Sequence, residues 1–161
     1  YIICNEMMYN TWADVAKNVS EFSVMTNSAA NNGNPFGSAD YAVNRDKIVD
    51  TGIDIWEYEG GFSYHGKSIL IDDNLSVIGS FNMDMRSAYI DTELMLVINS
   101  KDINKQLKAS MEEYEKKAAT VKNETEYSHI PEGMKMKELS DKKKNIKAWF
   151  GWAMNGLRFL F

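Results

Sequence analysis

The chain has 161 residues, of which 44% are hydrophobic and 25% charged, so it can form one globular domain with a sizeable apolar core. Its formal net charge of −5 argues against nucleic acid as a partner, because nucleic-acid-binding domains usually carry a dominant basic surface. The one cysteine, Cys4, excludes a disulfide framework and a cysteine-based zinc site, and no run of about 18 apolar residues is present that could span a membrane.

Helices and strands alternate along the first 121 residues, as the spacing of apolar and turn-forming residues indicates. The first half predicts a strand tail at residues 1–3, a helix over 6–19 capped by Asn5, a buried strand over 22–25, a loop over 29–40, a helix that ends before Gly52 and a strand over 53–58. A hairpin within 64–87, a strand over 94–98 and a charged helix over 101–121 follow. This order predicts the α/β class, with a mixed β-sheet flanked by helices.

The composition becomes polar after Val121, and a boundary is expected there. Residues 1–121 are expected to form the domain, and 122–161 a linker, with a solvated His129, followed by an amphipathic segment. That segment suits either an anionic bilayer surface or a part of the protein outside this chain, because lysines precede large apolar side chains. These side chains are Trp149, Phe150, Trp152, Leu157 and Phe159. Both ends of the sequence, YIIC and LRFLF, are expected to continue into a longer protein.

The polar chemistry of the chain is concentrated in one predicted hairpin, YHGKSILIDDNLSVIGSFNMDMRS, at residues 64–87. An Asp-Asn pair at its centre is suited to a two-residue turn. With that turn, Lys67 lies opposite Ser80 and His65 lies opposite Asn82. Opposed residues, and residues two apart on one strand, share a face of a sheet. The four side chains are therefore predicted to converge on one patch.

An imidazole, an ammonium, a hydroxyl and an amide are groups that can hold and attack a phosphoryl group. Lys67 can neutralise the negative charge, and Ser80 and Asn82 can donate hydrogen bonds. His65 can attack phosphorus or transfer a proton. Asp72 falls on the opposite face of the predicted hairpin, where a structural role is expected. The arrangement depends on the register, because a slip of one residue moves side chains to the other face.

The same residues resemble the HxKxxxxDxxxxxxGSxN signature of the phospholipase D superfamily at every fixed position. The matching residues are His65, Lys67, Asp72, Gly79, Ser80 and Asn82. The resemblance implies a catalytic set that consists of His65, Lys67, Asp72, Ser80, Asn82 and Glu93. The run SFNMDMRSAYIDTEL and the stretches VMTNSAANNG and DTGIDIWEY are similar to the second half of bacterial cardiolipin synthases. The resemblance covers about residues 1–121 and implies the layered α-β-α fold of that superfamily.

The resemblance also implies a mechanism in which two such motifs build one active site without a metal or another cofactor. One histidine attacks phosphorus and forms a phosphohistidine, and the other protonates the leaving alcohol and then activates the incoming alcohol or water. His65 is expected to be this acid and base. Glu93, which follows the motif, is expected to orient the imidazole ring.

Three further residues are expected by resemblance to bind substrate. Asn27 and Ser28 would lie near the substrate mouth, although on sequence alone they are as easily a turn. Arg86 would contact a headgroup phosphate or, as the more frequent arrangement of neighbouring charges, pair with Asp84.

The implied function is phosphatidyl transfer between phospholipids, with phosphatidylglycerol or a similar lipid as substrate, at the cytoplasmic face of a bacterial membrane. Only one motif is present in this sequence, so an N-terminal half or a second subunit is expected to supply the other. Two alternatives remain: a homodimeric phosphodiesterase that cleaves nucleic acid, which the acidic balance disfavours, and a non-catalytic half-domain that only docks.

Overall fold

A computed structural model of the chain describes residues 2–153, with side chains described as far as Trp149. The predicted aromatic and apolar positions Phe150, Trp152, Leu157 and Phe159 lie outside these described side chains. In chain order the elements are β1 (Ile2–Ile3), α1 (Glu6–Asn18), β2 (Ser23–Asn27), α2 (Pro35–Val49), β3 (Asp54–Tyr58), β4 (Ser68–Ile71), β5 (Leu75–Gly79), β6 (Met83–Asp84), α3 (Met85–Tyr89), β7 (Met95–Asn99), α4 (Lys101–Glu115), β8 (Ala118–Val121), β9 (Tyr127–His129) and α5 (Asp141–Ala153).

The described strands form three sheets. Strands β2, β3, β8 and β9 lie side by side in that order, with β2 parallel to β3 and the other pairs antiparallel. Strands β4, β5 and β7 form an antiparallel sheet, and β1 pairs with β6 in parallel. Helix α4 packs against β3, β4, β5 and β8, and α2 packs against β1 and α5. The predicted α/β class, with mixed strands flanked by helices, is confirmed.

The apolar core lies between the four-stranded sheet and helices α1 and α2. Its buried members are Ile2, Cys4, Tyr9, Trp12, Tyr41, Ile48, Ile53, Ile55 and Val121. The predicted cap of α1 is confirmed, because the Asn5 side chain accepts a hydrogen bond of 2.9 Å from the amide of Met8. The core thus packs on one face of the sheet that contains β2 and β3. The segments that follow these two strands lead to the site.

Helix α2 begins inside the segment predicted to be a loop. Asn34 caps it by accepting hydrogen bonds from the amides of Phe36 and Gly37, at 2.9 and 3.2 Å. Pro35 occupies the first helical position, where its missing amide hydrogen has no cost. The loop prediction over 29–40 is therefore wrong from residue 35 onward, because its turn-forming residues are a helix start.

The helix predicted over 101–121 ends at Glu115, and the last four residues of that range are strand β8. Ala118 and Ala119 are completely buried, and Ala119 lies opposite Glu57 of β3. Alanine favours helices in isolation, but pairing with β3 and burial against the core outweigh that preference.

Residues 122–129 are folded onto the sheet, so the prediction of an irregular linker is wrong for this part. Glu57 accepts hydrogen bonds from the hydroxyls of Tyr41 and Tyr127 at 2.6 and 2.5 Å, and from Nε of Arg45 at 2.8 Å. Arg45 also donates to two backbone carbonyl oxygens at residues 123 and 124. A buried charge pair with several hydrogen bonds thereby fixes β9 to the domain. His129, at the end of β9, is exposed as predicted.

Helix α5 lies along α2, within the same chain. The described part of the predicted amphipathic segment therefore already has a packing surface here, while Trp149 remains 48% exposed. Among residues 2–153, no helix combines the length and the apolar character needed to cross a membrane.

Candidate active site

The turn between β4 and β5 has three residues, 72–74, and not the predicted two. Ile71 lies opposite Leu75, so Asp72, Asp73 and Asn74 form the connection. Asp72 has a φ of 51°, in the left-handed region that aspartate tolerates better than most residues. The extra residue shifts the register of the hairpin by one.

The predicted pairings of Lys67 with Ser80 and of His65 with Asn82 are wrong as a consequence. The regular pairing begins at Ser68, and the amide of Gly79 donates a hydrogen bond of 3.1 Å to the carbonyl oxygen of Lys67. His65 and Lys67 precede the strand in a segment that is neither helix nor strand. Their side chains are therefore placed by this segment and not by a strand register.

Lys67 lies against the imidazole of His65. Its ammonium nitrogen is 3.2 Å from Nδ1 and 3.0 Å from Nε2 of the ring, and it donates to the His65 carbonyl oxygen at 3.0 Å. The positive charge of Lys67 lowers the pKa of His65, and partial burial lowers it further. His65 is exposed and Lys67 is half-buried, so the imidazole faces solvent, and its lowered pKa favours the neutral form.

Ser80 is fixed by two residues that precede β7. Its hydroxyl donates to Oε2 of Glu93 and accepts a hydrogen bond of 3.1 Å from the amide of Leu94. The amide of Ser80 in turn donates to the carbonyl oxygen of Leu94 at 3.0 Å. Because β5 pairs with β7, Ser80, which follows β5, lies next to Glu93, which precedes β7.

Glu93 connects the remaining motif residues. Hydrogen bonds from the hydroxyls of Ser80 and then Ser87 lower the pKa of Glu93, and Lys67 adds a weaker attraction. Ser87 also accepts a hydrogen bond of 3.2 Å from the amide of Asn82. Burial lowers the pKa of Lys67, while Glu93 and Asp84 oppose that effect. Five predicted site residues therefore belong to one connected cluster: His65, Lys67, Ser80, Asn82 and Glu93.

Asp72 is not part of this cluster. It is exposed at the tip of the hairpin, beyond the far end of β4 from Lys67. Five residues of extended chain span about 16 Å. The structure thus places Asp72 where it shapes the turn.

The predicted ion pair of Arg86 with Asp84 is wrong. Nε of Arg86 lies 3.0 Å from both carboxylate oxygens of Asp91, in a partly exposed pair. Asp84 is buried and instead caps α3, accepting a hydrogen bond of 2.6 Å from the amide of Ser87. By capping α3, Asp84 holds the backbone at the C-terminal end of the motif in place.

Asn27 and Ser28, predicted to bind substrate, have partners within the protein. Asn27 donates to the carbonyl oxygen of Tyr64 and accepts from its amide, both at 2.7 Å. The Ser28 hydroxyl donates to Oε2 of Glu59 and accepts from the amide of Asn31 at 3.0 Å. Both residues are more than nine-tenths buried, and their hydrogen bonds connect them to Tyr64, Glu59 and Asn31.

Three tyrosines, one of them adjacent to His65, form an aromatic cluster that was not predicted from the sequence. The ring of Tyr64 lies 4.6 Å from that of Tyr114 on α4 and 6.4 Å from that of Tyr58 at the end of β3, measured between centroids. Tyr58 also contacts Tyr114 at 5.5 Å. The tyrosine before the motif was the only local signal, because its partners are far apart in sequence. Among the described residues, no group of three or more histidine, cysteine or acidic side chains could hold a metal ion.

The fold and the cluster define a phospholipase D-like α/β domain, and comparison with known proteins agrees. A family model described as cardiolipin synthase, PLD-like domain, matches residues 1–114. The chain belongs to this family. Cardiolipin synthase A of Wigglesworthia glossinidia brevipalpis is 38% identical over 68 residues, which cover 42% of this chain and 14% of that protein. The chain thus spans about a seventh of the length of this relative.

Two solved structures share the fold. Nuc from Salmonella typhimurium, a phospholipase D family member, superposes with a TM-score of 0.60 at 16% identity, over 76% of this chain and 77% of Nuc. Phosphatidylserine synthase of Haemophilus influenzae Rd KW20 superposes with a TM-score of 0.67, also at 16% identity, over 92% of this chain and 37% of that one. At this identity the two likenesses establish the architecture.

Proposed function

We propose that this chain supplies one half of an active site that transfers a phosphatidyl group between phospholipids. The observation that carries the proposal is the ammonium of Lys67 at 3.0 and 3.2 Å from the ring nitrogens of His65, within the cluster that contains Ser80 and Glu93. Membership of the cardiolipin synthase, PLD-like domain family supports the choice of a phospholipid substrate.

The proposed reaction has two displacements at phosphorus. A histidine of the second half attacks the phosphorus of the donor lipid, so that a P–N bond forms as the P–O bond to the leaving alcohol breaks. Protonated His65 gives its proton to that leaving oxygen. Neutral His65 then takes the proton of the incoming alcohol, whose oxygen displaces the histidine nitrogen. One alcohol replaces another, and His65 ends as it began.

The charges around His65 suit this exchange of a proton. Lys67 favours the neutral imidazole, while the anionic phosphodiester of a bound lipid favours the charged one. Substrate binding is therefore expected to raise the pKa of His65, so that the imidazole carries the proton that the first step needs. Lys67 and the Asn82 amide group bind the phosphoryl oxygens in the proposal, and Glu93 holds the Ser80 hydroxyl beside them.

An open apolar surface supports the need for a second half. Ile69 and Ile71 of β4 and Val97 of β7 lie on one face of their sheet and are 49%, 47% and 63% exposed. Contiguous exposed apolar residues mark interaction surfaces in soluble proteins. The second half, with its own histidine, is the proposed occupant. The monomeric chain alone is then expected to lack phosphodiesterase activity, and clear turnover by the monomer would contradict the two-half site.

The proposed place of action is the cytoplasmic face of a bacterial membrane, with the protein bound peripherally. The lipid substrate of the family supports a membrane surface, as do the exposed Lys142 and Lys144 near the start of α5. Basic residues are attracted to anionic headgroups. Sedimentation with vesicles that contain phosphatidylglycerol tests this point, and equal sedimentation with neutral vesicles would contradict it.

The decisive test compares His65→Asn with His129→Asn in the complete protein that carries this chain. His129 is the other histidine of this chain and is exposed on β9, in a different sheet from the strands of the motif, which makes it a matched control. Transfer between phosphatidylglycerol molecules in vesicles should fall by about 1,000-fold or more for His65→Asn, and should be unchanged for His129→Asn. Full activity of His65→Asn would leave only the docking role.

A second candidate is a homodimeric phosphodiesterase that acts on nucleic acid. The specific observation in its favour is the fold match with Nuc, which covers about three quarters of both chains. Its signature would be cleavage of oligonucleotides by a dimer of this chain, with a steep loss of binding as salt increases. The proposed lipid transferase should leave oligonucleotides intact.

A further inference from the structure

The backbone of Tyr64, the residue that precedes His65, is held at both its N–H and its C=O by one side chain. Asn27, at the end of β2, donates to the carbonyl oxygen of Tyr64 and accepts from the Tyr64 amide, with 2.7 Å for each bond. This pair of bonds copies what a neighbouring strand would provide. Since the segment before β4 has no strand partner of its own, the Asn27 side chain takes the place of one.

The loop that follows Asn27, residues 27–32, contacts the same segment again. The side-chain amide of Asn31 donates to the carbonyl oxygen of Phe62 at 2.8 Å. The hydroxyl of Ser28 fixes Asn31 by accepting its backbone amide at 3.0 Å, and donates to the carboxylate of Glu59. We call residues 27–32 the Asn27 loop. It binds the backbone at two places within three residues of His65.

The C-terminal segment holds this loop in place through two lysines. The ammonium of Lys143 on α5 donates to the carbonyl oxygens of Ala29, Ala30 and Asn32, at 2.9, 2.7 and 2.7 Å. Lys137 lies 3.1 Å from Oε1 of Glu59, whose side chain is 2% exposed. The three hydrogen bonds of Lys143 are charge-assisted and about twice as strong as neutral ones, whereas Lys137 and Glu59 form an ion pair.

We infer that the Asn27 loop positions His65, and that Lys143 and Lys137, which follow residue 130, hold this loop in place. The inference rests on the proposed function, since only there does the placement of His65 set a rate. Asn27 and Ser28 then act through the Tyr64 peptide and do not touch the phospholipid. Lys137 and Lys143, which lie beyond residue 130, thereby contribute to the geometry of the active site.

The physical test is hydrogen exchange in the 161-residue chain, which needs no activity. Exchange of the Tyr64 amide should become at least about ten-fold faster in Asn27→Ala, because its acceptor is removed. Lys143→Met should speed the same amide several-fold. Lys142→Met is the matched control, because Lys142 is the preceding residue on the same helix and is exposed. Its Tyr64 amide should exchange as in the parent chain.

Unchanged exchange of the Tyr64 amide in Lys143→Met would overturn the coupling to the C-terminal segment. Unchanged exchange in a folded Asn27→Ala would overturn the inference as a whole. Should Asn27→Ala fail to fold, Asn27→Asp keeps an acceptor for the Tyr64 amide but puts a carboxylate oxygen against the Tyr64 carbonyl oxygen, and this repulsion is expected to speed exchange at residues 62–65. Lys143→Arg keeps the charge and should restore part of the protection.

Kinetics of the complete protein separate this inference from the proposed function. A misplacement of about 1 Å can lower a rate by about 100-fold. Asn27→Ala and Lys143→Met should therefore lower kcat by 10-fold to 100-fold and leave KM unchanged, since neither residue contacts the lipid. A raised KM at constant kcat would make Asn27 a substrate-binding residue and overturn the inference. Full activity of His65→Asn would instead defeat the proposed function, while the exchange results would stand.

Discussion

The amide nitrogen of Gly79 donates a hydrogen bond of 3.1 Å to the carbonyl oxygen of Lys67, which joins the two parts of the motif through their backbones. On its other side Gly79 lies opposite Met95 of β7. A side-chain carbon at this position would overlap the carbonyl oxygen of Leu94. Glycine is required here because the backbones of two neighbouring segments approach it closely.

Gly79→Ala should therefore destabilise the protein, by about 1–3 kcal/mol, since one strand must move away to admit the methyl group. Urea unfolding followed by circular dichroism measures this change. Gly33→Ala is the control, because a methyl group there would meet Ser63 only at an ordinary contact distance of 3.9 Å. Equal unfolding midpoints for the two variants would contradict the close approach at Gly79.

The pKa of His65 should lie below its ordinary value of 6.5, chiefly because of the adjacent Lys67 charge. Lys67→Met should raise it, because removal of the positive charge makes protonation of the imidazole easier. Titration of the ring signals by NMR gives the midpoint directly. With only two histidines in the chain, His129 provides the reference signal. A midpoint for His65 that does not rise in Lys67→Met would contradict the contact between the two side chains.

The carboxyl group of Glu93 should respond to loss of the Ser80 hydroxyl. That hydroxyl is the main cause of the lowered pKa of Glu93, so Ser80→Ala should raise the pKa toward its ordinary value of 4.5. Ser87→Ala should raise it by less. Carbon NMR of the carboxyl group across an acid titration measures both shifts, with Glu126 as a reference, because Lys122 and Asn123 set its pKa. A larger response to Ser87→Ala would reverse the assigned order.

Glu57→Gln should lower the free energy of unfolding by about 3–5 kcal/mol, because it leaves the buried Arg45 without a charge partner. The comparison is Glu126→Gln, which breaks an exposed pair with Lys122 and should change the stability by about 1 kcal/mol or less. Chemical denaturation of both variants decides the matter. A loss near 1 kcal/mol for Glu57→Gln would mean that water reaches Arg45.

Much of the site could be predicted because its residues are adjacent in sequence. The spacing of His65, Lys67, Ser80 and Asn82 indicated the candidate cluster, although the pairing predicted for these residues was wrong, and the alternation of elements indicated the fold class. The hairpin register could not be predicted, since two-residue and three-residue turns accept the same polar residues. The positive φ of Asp72 decides between them, and that depends on the whole sheet.

The parts that escaped prediction are held by contacts between residues far apart in sequence. Strand β8 forms because β3 offers it a partner, and Glu57 attaches β9 across 70 residues. The link of Lys143 to the Asn27 loop spans more than 110 residues. A lysine in a polar stretch is usually solvated, so nothing local distinguishes Lys143 from its neighbours Lys142 and Lys144 as a half-buried donor to three carbonyl groups.

The exposed apolar face of the sheet of β4, β5 and β7 has a practical consequence for work with this chain. Among the described residues, the outer strands β4 and β7 each have one edge without a strand partner and carry exposed apolar side chains, a combination that promotes aggregation during overexpression. Val97→Lys, on the outer strand β7, would add charge without disturbing the buried core. The soluble yield should then increase, and the sedimentation coefficient should no longer depend on protein concentration. The isolated chain would then be suitable for spectroscopy.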